Sequence, residues 1–289
     1  MSRTQLRAYV ELSSAMVFVG SFVVASKVIT TSFPVFLAPM LRFAIASAIL
    51  LPMLLKAEHG FPSLGKKDVG ILFLQAFAGN FLFSLFLLYG LKLTSAAESG
   101  IILGTTPVVI GLIALLFLRE PLTLPRGIGA INSIGTAPSA GQESNLLLGN
   151  ILVFGAVVGE ALWTILGKAA SGKATPLTIA SLTSFFGLLL FSPLAVYEAR
   201  SFDFAAVPLQ NWAWIVYYGV GTVGAYVLWY QGVSKVPAST AGVFAGILPV
   251  SAVVLSNIVL KEPVLWSYWV GIVCVVLAIV LIARLQPDV

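Results

Sequence analysis

Charge is scarce in this chain. Only 9% of its 289 residues are Asp, Glu, Lys or Arg, where a soluble domain carries about 25%. Cysteine occurs once, at Cys274 in an apolar run, and histidine once, at His59 in a loop beside Gly60 and Pro62. A lone cysteine excludes an internal disulfide and gives no metal site, and a lone loop histidine is a poor basis for a proton relay. No Gly-rich loop with a lysine is present to cradle nucleotide phosphates, which excludes ATP drive within this chain. There is no Ser/His/Asp set, no His-Glu-x-x-His helix and no pair of intramembrane aspartates. The chain is therefore not expected to be an enzyme or to hold a cofactor. The net charge of +5 comes from scattered residues such as Arg3, Arg7, Lys66 and Lys67, which suit lipid headgroups. No basic cluster interleaved with aromatics points to nucleic acid.

What the chain has instead is apolar surface. Hydrophobic residues make up 59% of it and the mean hydropathy is +1.02, more than a water-soluble fold of this length could hide. A membrane helix needs about 20 mostly apolar residues. Breaks at Pro, Gly and charged positions give ten such segments, near 8–28, 34–55, 69–92, 95–118, 124–141, 147–170, 176–197, 210–234, 237–259 and 264–284. They are too long and too apolar for barrel strands. The basic N-terminus followed by an apolar stretch looks like a signal peptide, but the stretch is long and lacks a convincing cleavage site, so it is read as a retained first span. Segment 124–141 is the weakest, because Gly127 to Thr136 is small and polar. Loops are short except 56–68 and 198–209, which leaves no room for a separate soluble domain.

The chain also repeats itself. Arg119-Glu120-Pro121 returns as Lys261-Glu262-Pro263 about half a chain later, and the same offset pairs Gly90 with Gly232, Ala96 with Ala238, Gly104 with Gly246, Pro107 with Pro249 and Gly129 with Gly271. Two units of five spans follow, over 1–143 and 144–289. With the N-terminus inside, eleven Lys and Arg residues face the cytoplasm (Arg3, Arg7, Lys56, Lys66, Lys67, Arg119, Arg126, Lys168, Lys173, Lys235, Arg284) against four outside (Lys27, Lys92, Arg200, Lys261), a positive-inside bias. An odd number of spans per unit then turns the second copy upside down. The expected fold is an all-α membrane protein of ten helices in two inverted repeats, with both termini cytoplasmic.

These features resemble the drug/metabolite transporter superfamily in its ten-span form of two EamA-type repeats. The resemblance is carried by Lys27 and Lys168 ending the first span of each half, Pro34 and Pro176 opening the second, and Pro107 and Pro249 each followed by the x-Glu-Pro ending, and it covers nearly the whole chain. It implies an inner-membrane carrier of small metabolites working by alternating access, similar to bacterial exporters of amino acids, with a central cavity lined by the first four spans of each half. The expected partners are a small-molecule substrate and the lipid bilayer, and a monomer suffices. A drug-like cation is the alternative solute.

Several residues could form the site. Glu160 lies inside the sixth span, where an ionisable group costs roughly 2.5 kcal/mol or more. It either faces a cavity, as a substrate-ammonium or proton site, or makes a buried structural hydrogen bond. Trp163 shares its face and could pack against an apolar substrate side chain or against helices and lipid. Arg42 sits eight residues into the second span, roughly 12 Å deep, and needs a substrate carboxylate or an internal partner, with Glu98 the obvious one. Glu98 itself fits a capping box starting at Ser95. Gln75, Gly79 and Asn80 form a polar stripe that either glues helices or binds a zwitterion. Tyr226 and Tyr230 share a face beyond Gly221, Thr222 and Gly224, but Trp229 and Tyr230 can equally belong to an interfacial aromatic belt, which makes Tyr226 the better cavity residue. Thr105 and Thr106 precede Pro107, which removes a backbone donor. Pro107 and Pro249 are thus paired candidate hinges.

Overall fold

In a computed structural model, residues 3–59, 63–93, 102–103, 105–118 and 146–261 are described. All regular structure among them is helical. The first half contributes α1 (Arg3–Ile29), α2 (Leu37–Ala57), α3 (Lys66–Ala76), a π-helical turn (Phe77–Leu82), α4 (Phe83–Leu93), α5 (Thr106–Ile113) and a second π-helical turn (Ala114–Leu118). The second half contributes α6 (Leu146–Ala170), α7 (Pro176–Ala199), a short 3-10 turn (Phe204–Ala206), α8 (Leu209–Lys235), α9 (Ala238–Ala245) and α10 (Ile247–Leu260).

Among the described residues, six helical stretches are long and apolar enough to cross a membrane: 3–29, 37–57, 66–90, 146–170, 176–199 and 238–260. Large apolar side chains such as Leu147, Phe117 and Tyr197 stand more than 70% exposed on their outer faces. That placement suits lipid, which solvates such groups. Helix α8 has the length to span, but it carries Gln, Asn, Tyr and Gly, and many of these turn inward. Segments 124–141 and 264–284 lie outside the described residues, as does most of the region before α5.

The halves pack with the same contacts. Helix α1 lies along α8, and α6 lies along the α3–α4 rod. A Cβ on Gly79 would fall 2.2 Å from the Trp163 Cβ, and a Cβ on Gly221, its counterpart in the second repeat, would fall 2.7 Å from Phe22. Gly90 meets Val153 and the Gly149 carbonyl in the way Gly232 meets Leu12 and the Ala8 carbonyl. These contacts pair Phe22 with Trp163 and Leu12 with Val153, so the first helices of the two halves match in the register of Lys27 and Lys168, one residue short of the register of the other spans. Glycine has no Cβ, and that lets the backbones approach where any side chain would collide.

Helices α2 and α7 hold corresponding places in the repeats and run antiparallel. Leu50 accepts from the Ser181 hydroxyl at 3.2 Å, and Phe43 stacks on Phe191 at 6.0 Å. At one end, the Glu58 carboxylate past the end of α2 accepts from the Thr178 hydroxyl at 2.7 Å and from that of Thr175, the residue that caps α7. At the other end, Glu198 of α7 accepts from the N–H groups of Phe36 and Leu37 at 2.8 and 2.9 Å. Glu198 thus meets N–H groups that lack intrahelical partners, while Glu58 meets the hydroxyls at the capped start of α7. Opposite directions at corresponding positions are what an inverted repeat requires.

The tight glycine contacts give a test. Gly79→Ala is expected to destabilise the protein by about 1–3 kcal/mol through overpacking, read as a lower unfolding temperature in detergent. Gly172 has open space around its would-be Cβ, so Gly172→Ala should stay within about 0.5 kcal/mol.

Candidate functional site

The polar residues of the spans converge where α3, its π turn, α6, α7 and α8 meet. Gln75 is fully buried, and its amide nitrogen donates to the Trp163 carbonyl and to the Tyr230 hydroxyl, both at 2.9 Å. Its carbonyl oxygen accepts from Thr183 at 3.4 Å. Asn80 donates to the Thr183 carbonyl at 3.4 Å and accepts from the Tyr226 hydroxyl at 2.9 Å. Both amides of the third rod are therefore satisfied by the opposite half. The π turn, which holds Gly79 and Asn80, widens the helix by one residue. Such bulges cluster at functional sites.

An aromatic wall stands against these amides. The Trp163 ring lies 5.6 Å from Trp229 in a stacked arrangement, 5.6 Å from Tyr226 and 5.5 Å from Tyr230. Gly79 is what lets Trp163 in. Trp229 and Tyr230 are 2% and 0% exposed, so they are interior residues and not part of an interfacial belt. Hydropathy cannot tell the two placements apart. The indole N–H groups of Trp163 and Trp229 are buried and have no acceptor among the described residues, which leaves two unused donors in the wall.

Glu160 lies one turn from Trp163 on α6. Its carboxylate is 3.3 Å from the Thr106 hydroxyl, which is also 2.7 Å from the Leu103 carbonyl. One hydroxyl hydrogen serves two acceptors, so the carboxylate is weakly satisfied. No Lys or Arg among the described residues comes within ion-pair range of it. Thr105 bonds the Ile102 carbonyl at 2.6 Å and lies just before α5, and Pro107 is at the first turn of α5. In the other half Gly246 joins α9 to α10 in right-handed helical backbone, its N–H donating to the Val243 carbonyl at 3.1 Å, and Pro249 lies in the first turn of α10. Both prolines thus follow a tightened turn of helix, at Thr105 in one half and at Gly246 in the other, where the N–H bonds the carbonyl three residues back.

Arg42 is the sixth residue of α2, about 7.5 Å along the helix from Leu37, nearer its end than the sequence segment implied. Its Nε donates to Thr222 at 2.7 Å and its Nη1 to the Tyr218 hydroxyl at 3.0 Å. The guanidinium carbon is 4.4 Å from the Tyr218 ring, 5.0 Å from Phe43, 5.2 Å from Phe22 and 5.8 Å from Tyr226. Glu98, its expected partner, lies outside the described residues, and among those described no carboxylate pairs with Arg42. Sequence reasoning missed Thr183, Tyr218 and Phe22. Phe22 could have been found, because it precedes Trp163 by the same interval that separates Lys27 from Lys168.

The ionic contacts near the helix ends lie apart from this centre. Glu11 pairs with Arg7 at 2.9 Å and with Lys235. Lys173 pairs with Asp68 at 2.7 Å. Lys168 donates to the Val233 carbonyl at 2.9 Å at the end of α8. No group of three or more His, Cys, Asp or Glu able to hold a metal is found among the described residues.

The chain matches the EamA-like transporter family twice, over residues 7–137 and 147–284. It is 44% identical over 298 residues to the uncharacterized transporter YetK of Bacillus subtilis (strain 168), covering 99% of this chain and 90% of that protein. It is 27% identical to an uncharacterized transporter of Archaeoglobus fulgidus, covering 86% of this chain and 90% of that one. A solved crystal structure superposes with a TM-score of 0.78 at 16% identity, covering 96% of this chain and 99% of the other. That likeness concerns the fold.

Gln75 offers the clearest test of the buried network. Gln75→Leu removes a donor from the Tyr230 hydroxyl and from the Trp163 carbonyl, and stranded buried polar groups cost about 1–3 kcal/mol each. A lower unfolding temperature in detergent is expected. Lys173→Ala, which removes an exposed pair, should leave the unfolding temperature almost unchanged.

Proposed function

Because the chain belongs to the EamA-like transporter family, a family of membrane transporters, we propose that it exports small metabolites, foremost amino acids, including apolar and aromatic ones. The carrier works by alternating access in the cell inner membrane, as a monomer of ten spans in two inverted repeats with both termini in the cytoplasm. The reading rests on one juxtaposition: the aromatic wall of Trp163, Tyr226, Trp229 and Tyr230 beside the amides of Gln75 and Asn80. A wall of rings takes an apolar side chain. Amides and hydroxyls take the polar end of a zwitterion without adding net charge, and among the described residues Arg42 and Glu160 are the charged groups nearest this region.

The tightened turns before Pro107 and Pro249 supply the moving parts in this reading. Irregular turns at equivalent places of two repeats are where transporters bind and bend. Glu160 is the proton carrier if export is coupled to a pH gradient, since the Thr106 hydroxyl beside it can accept from a protonated carboxyl as readily as donate to a charged one. Glu98, outside the described residues, is assigned to substrate contact or gating in this reading.

Uptake of labelled amino acids into liposomes holding the purified protein tests this reading. Saturable uptake is expected, falling about tenfold, the equivalent of about 1.4 kcal/mol of binding, in Trp163→Ala and in Glu160→Gln. A pH gradient should stimulate the native protein and not Glu160→Gln. No uptake of any amino acid by folded protein would remove amino acids as the substrate and send the search to other metabolites, a drug-like cation among them.

A further inference from the structure

Arginine inside a membrane span is expensive and needs a counter-charge or water. Arg42 has no carboxylate partner among the described residues. Its partners are hydroxyls and ring faces, which hold a cation in place without neutralising it. A guanidinium has five N–H donors in a planar fork. Two are used here, which leaves three, including both on Nη2. That free end is the edge that grips a carboxylate with two parallel hydrogen bonds.

The repeat shows that the fold does not require this charge. In the register that pairs Pro34 with Pro176, Ser184 stands where Arg42 does, Ala76 where Tyr218 does, Asn80 where Thr222 does and Ser84 where Tyr226 does. The other half packs the same helices with small neutral residues, and its buried Ser184 hydroxyl has no partner among the described residues. The cation and its hydroxyl supports are thus present in one copy only. They also connect to the aromatic wall, because Tyr226 touches the guanidinium with its ring and donates to Asn80 with its hydroxyl.

We infer that Arg42, held by Thr222, Tyr218 and the surrounding rings, is a seat for the carboxylate of the transported solute. The solute is then a monocarboxylate or a zwitterion, and not a simple amine. A single guanidinium matches one negative charge, which disfavours a phosphate dianion. This inference deepens the transport reading and rests on it.

The test measures binding of four probes to the full-length protein in detergent: L-phenylalanine, 3-phenylpropionate, L-phenylalaninamide and 2-phenylethylamine. The first two carry the carboxylate and the last two lack it. The native protein is expected to prefer the carboxylates by about tenfold or more, as a charge-assisted pair should. In R42Q the preference should fall to near parity, and R42K, which keeps the charge and loses the fork, should retain part of it. Should R42Q fail to fold, the native comparison decides: equal binding of L-phenylalanine and its amide overturns the seat. Restoration of the preference in an R42Q/E98Q double variant would make Arg42 the partner of Glu98 and also overturn it. Binding of 3-phenylpropionate through Arg42 without transport of any amino acid would sink the amino-acid reading and keep the seat. Transport of L-phenylalanine with no preference over its amide would do the reverse, and binding of none of the four by folded protein would overturn the seat.

Discussion

Helices in hydrocarbon gain little by hiding apolar surface from one another, because lipid tails solvate leucine as well as another leucine does. What holds them is close contact, and close contact needs backbones without side chains between them. Gly79 and Gly221 provide it twice, at corresponding points of the two halves, one admitting Trp163 and the other Phe22. Gly90 and Gly232 do so again one helix end further on. Everything at the centre depends on this fit. With Trp163 held back by even one methyl group, its carbonyl would leave Gln75 and its ring would leave the stack with Trp229.

The two halves share a backbone plan and differ in chemistry. The first helices present Phe22 and Trp163 at the same station, one beside Arg42 and the other beside Gln75. The second helices present Arg42 and Ser184. One half of the interior is therefore cationic and hydroxyl-rich, and the other is amide-rich and walled by indole and phenol. Duplication supplied the frame, and divergence at a handful of inward positions supplied the asymmetry that recognition of an unsymmetrical solute needs.

Much of the frame was legible in the sequence. The constant offset between the halves, with Gly and Pro among the matched pairs, foretold the recurring contacts, and the x-Glu-Pro marks foretold the family. The site was legible only in part. Gln75, Asn80, Glu160 and Trp163 stood out because polar or bulky groups are rare at span depth. The partners of Gln75 and Asn80, however, come from helices of the other half, and periodicity carries no information across such gaps. Trp229 and Tyr230 were ambiguous because a hydropathy window sees an aromatic near a helix end and cannot see which way it faces. The π turn at Phe77–Leu82 was hidden for a different reason: Gly79 and Asn80 weaken a helix there, but nothing in their spacing separates a π turn from ordinary helix. The one-residue slip between first helices and the rest of the repeat was visible in Lys27 and Lys168 before any contact was known.

The antiparallel pairing of α2 and α7 has an electrical consequence. Each helix carries a macrodipole worth roughly half an elementary charge at either end, and the two point in opposite directions across the bilayer. Glu58 and Glu198 place a negative group against the positive start of the neighbouring helix, so each pole is matched locally as well as by its antiparallel twin. The pair as a whole presents almost no net dipole along the membrane normal. A transmembrane voltage therefore finds almost no backbone dipole to pull on in this pair, and what it can act on among the described residues is side-chain charge within the spans, that of Arg42 on α2 and of Glu160 on α6.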